Sequence, residues 1–238
     1  MNRPVACITG GGSGIGYATA QHLLENGYSV VICGRRKSVI QAAVHTLNHA
    51  YPSGNVCGLT ADIATESGVA SVFSHIQSQY QRLDCLINNA STLSVDSFES
   101  VSIDQIRRLI DTNIMSSILC SQAAIPLLTQ STNACIINIS SLGGVQGSIK
   151  FPGFSIYTMT KGAIIALTEA LAVELKPKGI RVNALAPGAV DTAMLKQAGA
   201  HLTTVTTPND IAPSILFLLK ARPASGLSGT ILEVHSNA

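Results

Sequence analysis

Charge is scarce in this chain. Only 12% of its 238 residues are Asp, Glu, Lys or Arg, the formal net charge is +2, and no basic run is longer than Arg35-Arg36-Lys37. This excludes the footprint of a nucleic-acid binder and the polybasic segment of a membrane-surface anchor, and leaves a small molecule as the expected partner. No stretch approaches the apolar length of a membrane span. Residues 1–10 enter a strand-like segment without the apolar stretch of a signal peptide, so the expected location is cytoplasmic. The six cysteines form no C-x-x-C, and Cys7, Cys33, Cys57, Cys85 and Cys135 each fall inside an apolar run, as small core residues do. The six histidines form no H-E-x-x-H and no Cys/His cluster at ligand spacing, so no metal site is expected. Repeats, linkers and low-complexity tracts are also absent.

What is abundant is apolar residues, 46%, together with 20 glycines, the composition of strands buried on both faces and joined by tight turns. Strand-like runs fall at residues 4–9, 29–34, 55–61, 83–88, 134–140, 180–186 and 230–234. Helical patterns lie between them at 14–26, 38–49, 66–80, 103–128, 155–175 and 209–219. This alternation predicts an α/β, doubly wound Rossmann-type fold over residues 1–238 as a single domain. About seven parallel strands would carry helices on both faces in three α/β/α layers. Residues 141–154 and 189–208 read as long loops, and ligand chemistry belongs at the carboxyl edge of the sheet.

Thr9-Gly10-Gly11-Gly12-Ser13-Gly14-Ile15-Gly16 follows the first strand and opens the first helix. Bare backbone N–H groups and the helix dipole favour an anion such as pyrophosphate there. The second strand ends at Cys33-Gly34 without the carboxylate that would hold a ribose 2′-hydroxyl. Arg35 and Arg36 follow instead, two cations badly placed against a helix dipole unless an anion lies near; a 2′-phosphate is such an anion. NADP(H) is therefore expected over NAD(H), with Arg35 the better candidate and solvated surface arginines the alternative. Farther along, Tyr157 and Lys161 stand four positions apart at the start of a helical pattern, on one face, where a cation favours the ionised phenol. Spacing alone would equally suit an ordinary exposed Tyr/Lys pair.

Together these segments resemble the short-chain dehydrogenase/reductase family, in its single-domain branch, over nearly the whole chain. Thr9-Gly10-x-x-x-Gly14-x-Gly16 is similar to the family's cofactor motif and Tyr157-x-x-x-Lys161 to its catalytic motif. Asp62-Ile63 is similar to the adenine-contacting position, Asn88-Asn89-Ala90 to the N-N-A segment, and Pro187-Gly188-x-Val190-x-Thr192 to the loop against the nicotinamide. The resemblance implies a cofactor set of Thr9, Gly10, Gly12, Ser13, Gly14, Ile15, Gly16, Arg35, Arg36, Asp62, Ile63, Asn89, Ala90, Tyr157, Lys161, Pro187, Gly188, Val190 and Thr192. It also implies a catalytic set of Asn113, Ser141, Tyr157 and Lys161: Tyr157 as general acid or base, Lys161 tuning it and binding the nicotinamide ribose, Asn113 holding a relay water. Either Ser140 or Ser141 could steady the carbonyl oxygen, and the family pattern favours Ser141.

The chain departs from the family at Ser91, where glycine is usual, in the long separation of Ser141 from Tyr157, and at Val234-His235-Ser236-Asn237, where a subunit contact is expected to differ. The implied activity is NADP(H)-dependent interconversion of a ketone and a secondary alcohol. A 3-oxoacyl-carrier-protein reductase, an NAD-dependent alcohol, steroid or sugar dehydrogenase, and a non-catalytic dinucleotide sensor are the alternatives. Residues 191–208 are expected to form a lid with apolar contacts from Met194, Leu195, Ala198, Leu202 and Val205, over a modest uncharged ketone. A homotetramer, or a homodimer, is expected through the apolar helices at 103–128 and 155–175.

Overall fold

The computed structural model describes residues 3–199, 202–221 and 226–236. Seven parallel strands form one sheet in the order β3-β2-β1-β4-β5-β6-β7. They are β1 (Val5–Thr9), β2 (Ser29–Gly34), β3 (Asn55–Thr60), β4 (Cys85–Asn88), β5 (Cys135–Ile139), β6 (Arg181–Pro187) and β7 (Ile231–Val234). The helices are α1 (Gly14–Glu25), α2 (Lys37–Ala50), α3 (Glu66–Tyr80), α4 (Ile103–Ile110), α5 (Ser116–Leu128), α6 (Ser155–Glu174), α7 (Ala193–Ala198) and α8 (Pro208–Lys220). The fold is thus the doubly wound α/β layer expected, and each strand lies within two residues of its predicted bounds.

Strand periodicity divides the core in two. In β1, Val5 and Cys7 face α3, α5 and α6 with Phe73, Ile76, Leu127 and Leu175, while Ala6 and Ile8 face α1, α2 and α8 with Leu23, Ile40 and Ile215. Both faces of the inner strands are covered, which is why β1, β2, β4, β5 and β6 are buried along nearly all of their length, while the edge strands β3 and β7 are only partly buried. Five of the six free cysteines are buried and Cys57 is half-buried.

Three expectations are corrected. The helix at 103–128 is broken by a π turn, Asp111–Met115, where the Ser116 N–H bonds the Asp111 carbonyl five residues back. Apolar periodicity cannot register one inserted residue, and π turns of this kind mark functional positions. The lid contains a helix, α7, started by the Thr192 hydroxyl accepting the Leu195 N–H at 3.2 Å. Finally, α6, with 20 residues, is by length and composition apolar enough to cross a membrane, contrary to the sequence expectation. It lies instead on the sheet, with Thr160, Lys161, Ile164, Thr168 and Ala172 buried, and a core crossover helix passes the same compositional test.

The sheet's order reverses between β1 and β4, the neighbours that open a crevice at their carboxyl ends. At the opposite end, Arg181 on β6 is buried and holds the C-terminus of α8. Its guanidinium donates to the Leu218 carbonyl at 2.9 Å, the Leu219 carbonyl at 3.1 Å and Asn133 Oδ1 at 3.3 Å. A cation there satisfies carbonyls that the helix leaves unpaired and complements its dipole.

Candidate active site

A cavity of about 1050 Å³ occupies that crevice, at the top of the roughly 300–1,000 Å³ range of ligand sites. Its floor is the turn after β1. Gly10 and Gly14 have φ of +66° and +55°, conformations that a side chain resists, and a Cβ on Gly12 would lie 3.0 Å from Val39. Ser13 and Ile15 complete the floor, and the opening turn of α1 directs N–H groups into the space. Arg35 and Arg36 stand at the far rim, both exposed and neither paired with a carboxylate among the described residues. No acidic residue occupies the first turn of α2. Asp62, Ile63, Asn89, Ala90, Pro187, Gly188, Val190 and Thr192 also line the cavity. A glycine cradle, a helix N-terminus and two arginines without a carboxylate partner among the described residues fit the phosphates of a dinucleotide.

Three predicted residues lie behind this wall. Thr9 is buried, and its hydroxyl accepts the Asn89 and Ala90 N–H groups, both at 3.0 Å, clasping β1 to the segment after β4. Gly16 permits close packing, since a Cβ would meet Asn89 Nδ2 at 2.5 Å. Asn113, in the π turn, is 2% exposed and has a full set of side-chain partners. Its Oδ1 accepts from the Thr92 N–H at 2.8 Å and the Ser91 hydroxyl at 3.1 Å; its Nδ2 donates to the Thr92 carbonyl and to Thr160 Oγ1, both at 3.0 Å. Thr160 Oγ1 in turn donates to the Tyr157 carbonyl at 2.7 Å. Asn113 therefore ties the wall after β4 to the start of α6, and its amide has no position left for a water.

Tyr157, Lys161 and Ser141 share the cavity wall. One helical turn aligns the first two; the end of β5 supplies the third. Lys161 is 3% exposed, with Nζ 2.9 Å from the Ile139 carbonyl and 5.7 Å from the Tyr157 ring centroid, over its face. Burial drops its pKa from 10.5 to about 8. The tyrosine does not shift as the sequence suggested: burial raises it to about 12, and only its hydrogen bond with Ser141 acts the other way. Enclosure outweighs the nearby cation, because the ammonium faces the ring and a backbone carbonyl. Ser140, the rival serine, is buried and donates to the Lys161 carbonyl at 2.8 Å, which makes it a brace.

The long loop lies beside the cavity as expected, but its individual wall residues, Leu142, Ile149, Phe151 and Phe154, carry no periodic signal that would single them out, and His235 and Ser236 join the wall from beyond β7. The Ser236 hydroxyl accepts the Ala189 N–H at 3.2 Å, so this departure from the family shapes the wall beside Pro187-Gly188. Asn237 lies outside the described residues. In the lid, Met194, Leu195, Ala198 and Leu202 line the cavity as expected, whereas Val205 is 75% exposed and does not.

A dinucleotide cradle at the switch point of a parallel sheet, facing a Tyr/Lys pair, is the site of an α/β nucleotide-dependent enzyme. The chain belongs to the short-chain dehydrogenase/reductase family, whose short chain dehydrogenase model matches residues 4–203. It is similar to a 3alpha-hydroxysteroid dehydrogenase of Mediterraneibacter gnavus, 31% identical over all of this chain and 98% of that one. Among solved structures, it is similar to 3-ketoacyl-(acyl-carrier-protein) reductase from Brucella melitensis complexed with NADH. That match has a TM-score of 0.86 and 28% identity, over 98% of this chain and 96% of that one. ElxO with NADP bound matches with a TM-score of 0.87 and 29% identity, over 98% of both chains. The protein is accordingly an NAD(P)-binding oxidoreductase.

Proposed function

We propose that the protein reduces a ketone to a secondary alcohol, or runs the reverse reaction, with NADP(H) preferred over NAD(H). When bound, the nicotinamide supplies or accepts the hydride at the carbonyl carbon. Tyr157 gives its phenolic proton to the carbonyl oxygen in reduction and removes the alcohol proton in oxidation. Ser141 donates a hydrogen bond to the same oxygen as charge develops on it. Lys161 binds the nicotinamide ribose and, as an ammonium, stabilises the phenolate left after proton transfer. Because the Asn113 amide is fully engaged, a relay water would be held by its main-chain carbonyl.

The observation that carries this reading is the placement of Tyr157, Ser141 and Lys161 on the wall of the same cavity as the glycine turn and Arg35. Unpaired Arg35, with no carboxylate at the end of β2, supports the phosphate-bearing cofactor. Ile103 and Val173, 60% and 76% exposed on α4 and α6, support a homotetramer, which light scattering tests. Incubation with NADPH or NADH and a carbonyl panel tests the chemistry. Wild type should consume cofactor, Tyr157→Phe should lose activity by about 10²-fold or more, and Arg35→Ala should lower the NADPH-to-NADH ratio of kcat/KM. Cofactor binding by wild type and Tyr157→Phe, with consumption by neither, would mark a non-catalytic sensor instead.

A further inference from the structure

Phe151 and Ile149 lie at the mouth of the cavity, 57% and 80% exposed, in a chain with only five phenylalanines. Phe151 packs edge-on against Phe154, with ring centroids 6.2 Å apart and planes at 62°. Phe154 packs edge-on against Tyr157 at 6.3 Å and 79°. The three rings form a ladder from solvent to the phenol, and such edge-to-face steps leave ring faces free for a flat apolar ligand. The loop is shaped to present them: Gly147 and Gly153 adopt φ of +78° and +81°, and the Gly153 carbonyl accepts the Asp96 N–H at 3.1 Å. Across the cavity stand Met194, Leu195 and Leu202, with Leu142 at the loop's base.

The lysines near this mouth already have partners. Lys150 Nζ donates to the Val145 carbonyl and the Ser148 hydroxyl, both at 2.5 Å. Lys196 pairs with Asp191 at 3.0 Å, and His235 contacts Glu233 at 3.5 Å. Among the described residues, the unpaired arginines that line the cavity, Arg35 and Arg36, stand at the cofactor end. Among the described residues, a phosphate-bearing thioester or an acidic carrier would find at this mouth one lysine without a carboxylate partner, Lys150, folded onto its own loop.

We infer that the substrate is an uncharged ketone or secondary alcohol built on at least two fused rings, its apolar body lying along Phe154 and Phe151 under the Met194 and Leu202 side of the lid. This rests on the proposed reductase activity. One ring seated at Tyr157 reaches Phe154; a second is needed to reach Phe151.

The test compares cyclohexanone, decalone and acetoacetyl-coenzyme A as substrates of the full chain with NADPH, followed by nicotinamide absorbance. The expected kcat/KM for decalone exceeds that for cyclohexanone by about tenfold or more. Phe151→Ala should cut the decalone value more than the cyclohexanone value, so that the ratio collapses. Phe217→Ala, equally exposed but on α8, should leave the ratio unchanged. Preference for the thioester, equal rates for the two ketones, or a ratio insensitive to Phe151→Ala would overturn the inference while leaving the reductase reading intact. Inertness toward every carbonyl with both NADPH and NADH would refute the reductase reading, and the inference with it.

Discussion

Replacing Lys161 with methionine should abolish turnover yet make the cofactor-free protein more stable at neutral pH. Burial lowers the lysine from 10.5 to about 8, so at pH 7 the native state holds an ammonium that the unfolded chain solvates better. A depression of that size costs about 3 kcal/mol. Methionine keeps the chain length and apolar stem but loses the bond to the Ile139 carbonyl, a loss of about 1–2 kcal/mol. The net gain is about 1–2 kcal/mol, or roughly 3–6 °C in Tm for a chain of this size. The pH dependence distinguishes this cause from improved packing. Between pH 8 and 10.5 the unfolded state carries more protons at this position than the native state, so wild-type stability rises with pH through that window. By pH 10 the remaining cost is about 1 kcal/mol, and the variant's advantage should have disappeared. Differential scanning fluorimetry of both proteins at pH 7 and pH 10 makes the measurement. A variant that melts below wild type at pH 7, or a gap that does not change with pH, would refute the reasoning.

Two further substitutions probe the braces behind the site. Ser91→Gly restores the family's usual residue but removes one of the two donors to Asn113 Oδ1, so kcat should fall by less than about tenfold while urea unfolding shifts by at most about 1 kcal/mol. An unchanged kcat would show that the Thr92 N–H alone holds Asn113 in place. Arg181→Ala strips partners from the Leu218 and Leu219 carbonyls and from Asn133, and should cost about 2–4 kcal/mol in urea unfolding. It lies at the opposite end of the sheet from the cavity, so the folded fraction should retain wild-type kcat.

The layer architecture was legible in the order of residues alone, because buried parallel strands demand unbroken apolar runs and their crossovers demand helical periodicity. So were the glycine turn, Arg35 and the Tyr157/Lys161 pair, whose geometry follows from local spacing along one turn or one helix. Contacts between distant segments were left to the tertiary structure. Asn113 meets Thr160 across 47 positions, Thr9 meets Asn89 across 80, and Ser236 meets Ala189 across 47. No local pattern encodes such meetings, so the bracing contacts that the Thr9 and Asn113 side chains make could not be read from the sequence. The balance between burial and charge was equally invisible, since helical spacing places a cation beside a phenol but does not say how deeply both are enclosed. Packing decided that the tyrosine goes up and the lysine comes down, and it arranged Phe151 and Phe154 as a ladder from an aperiodic loop.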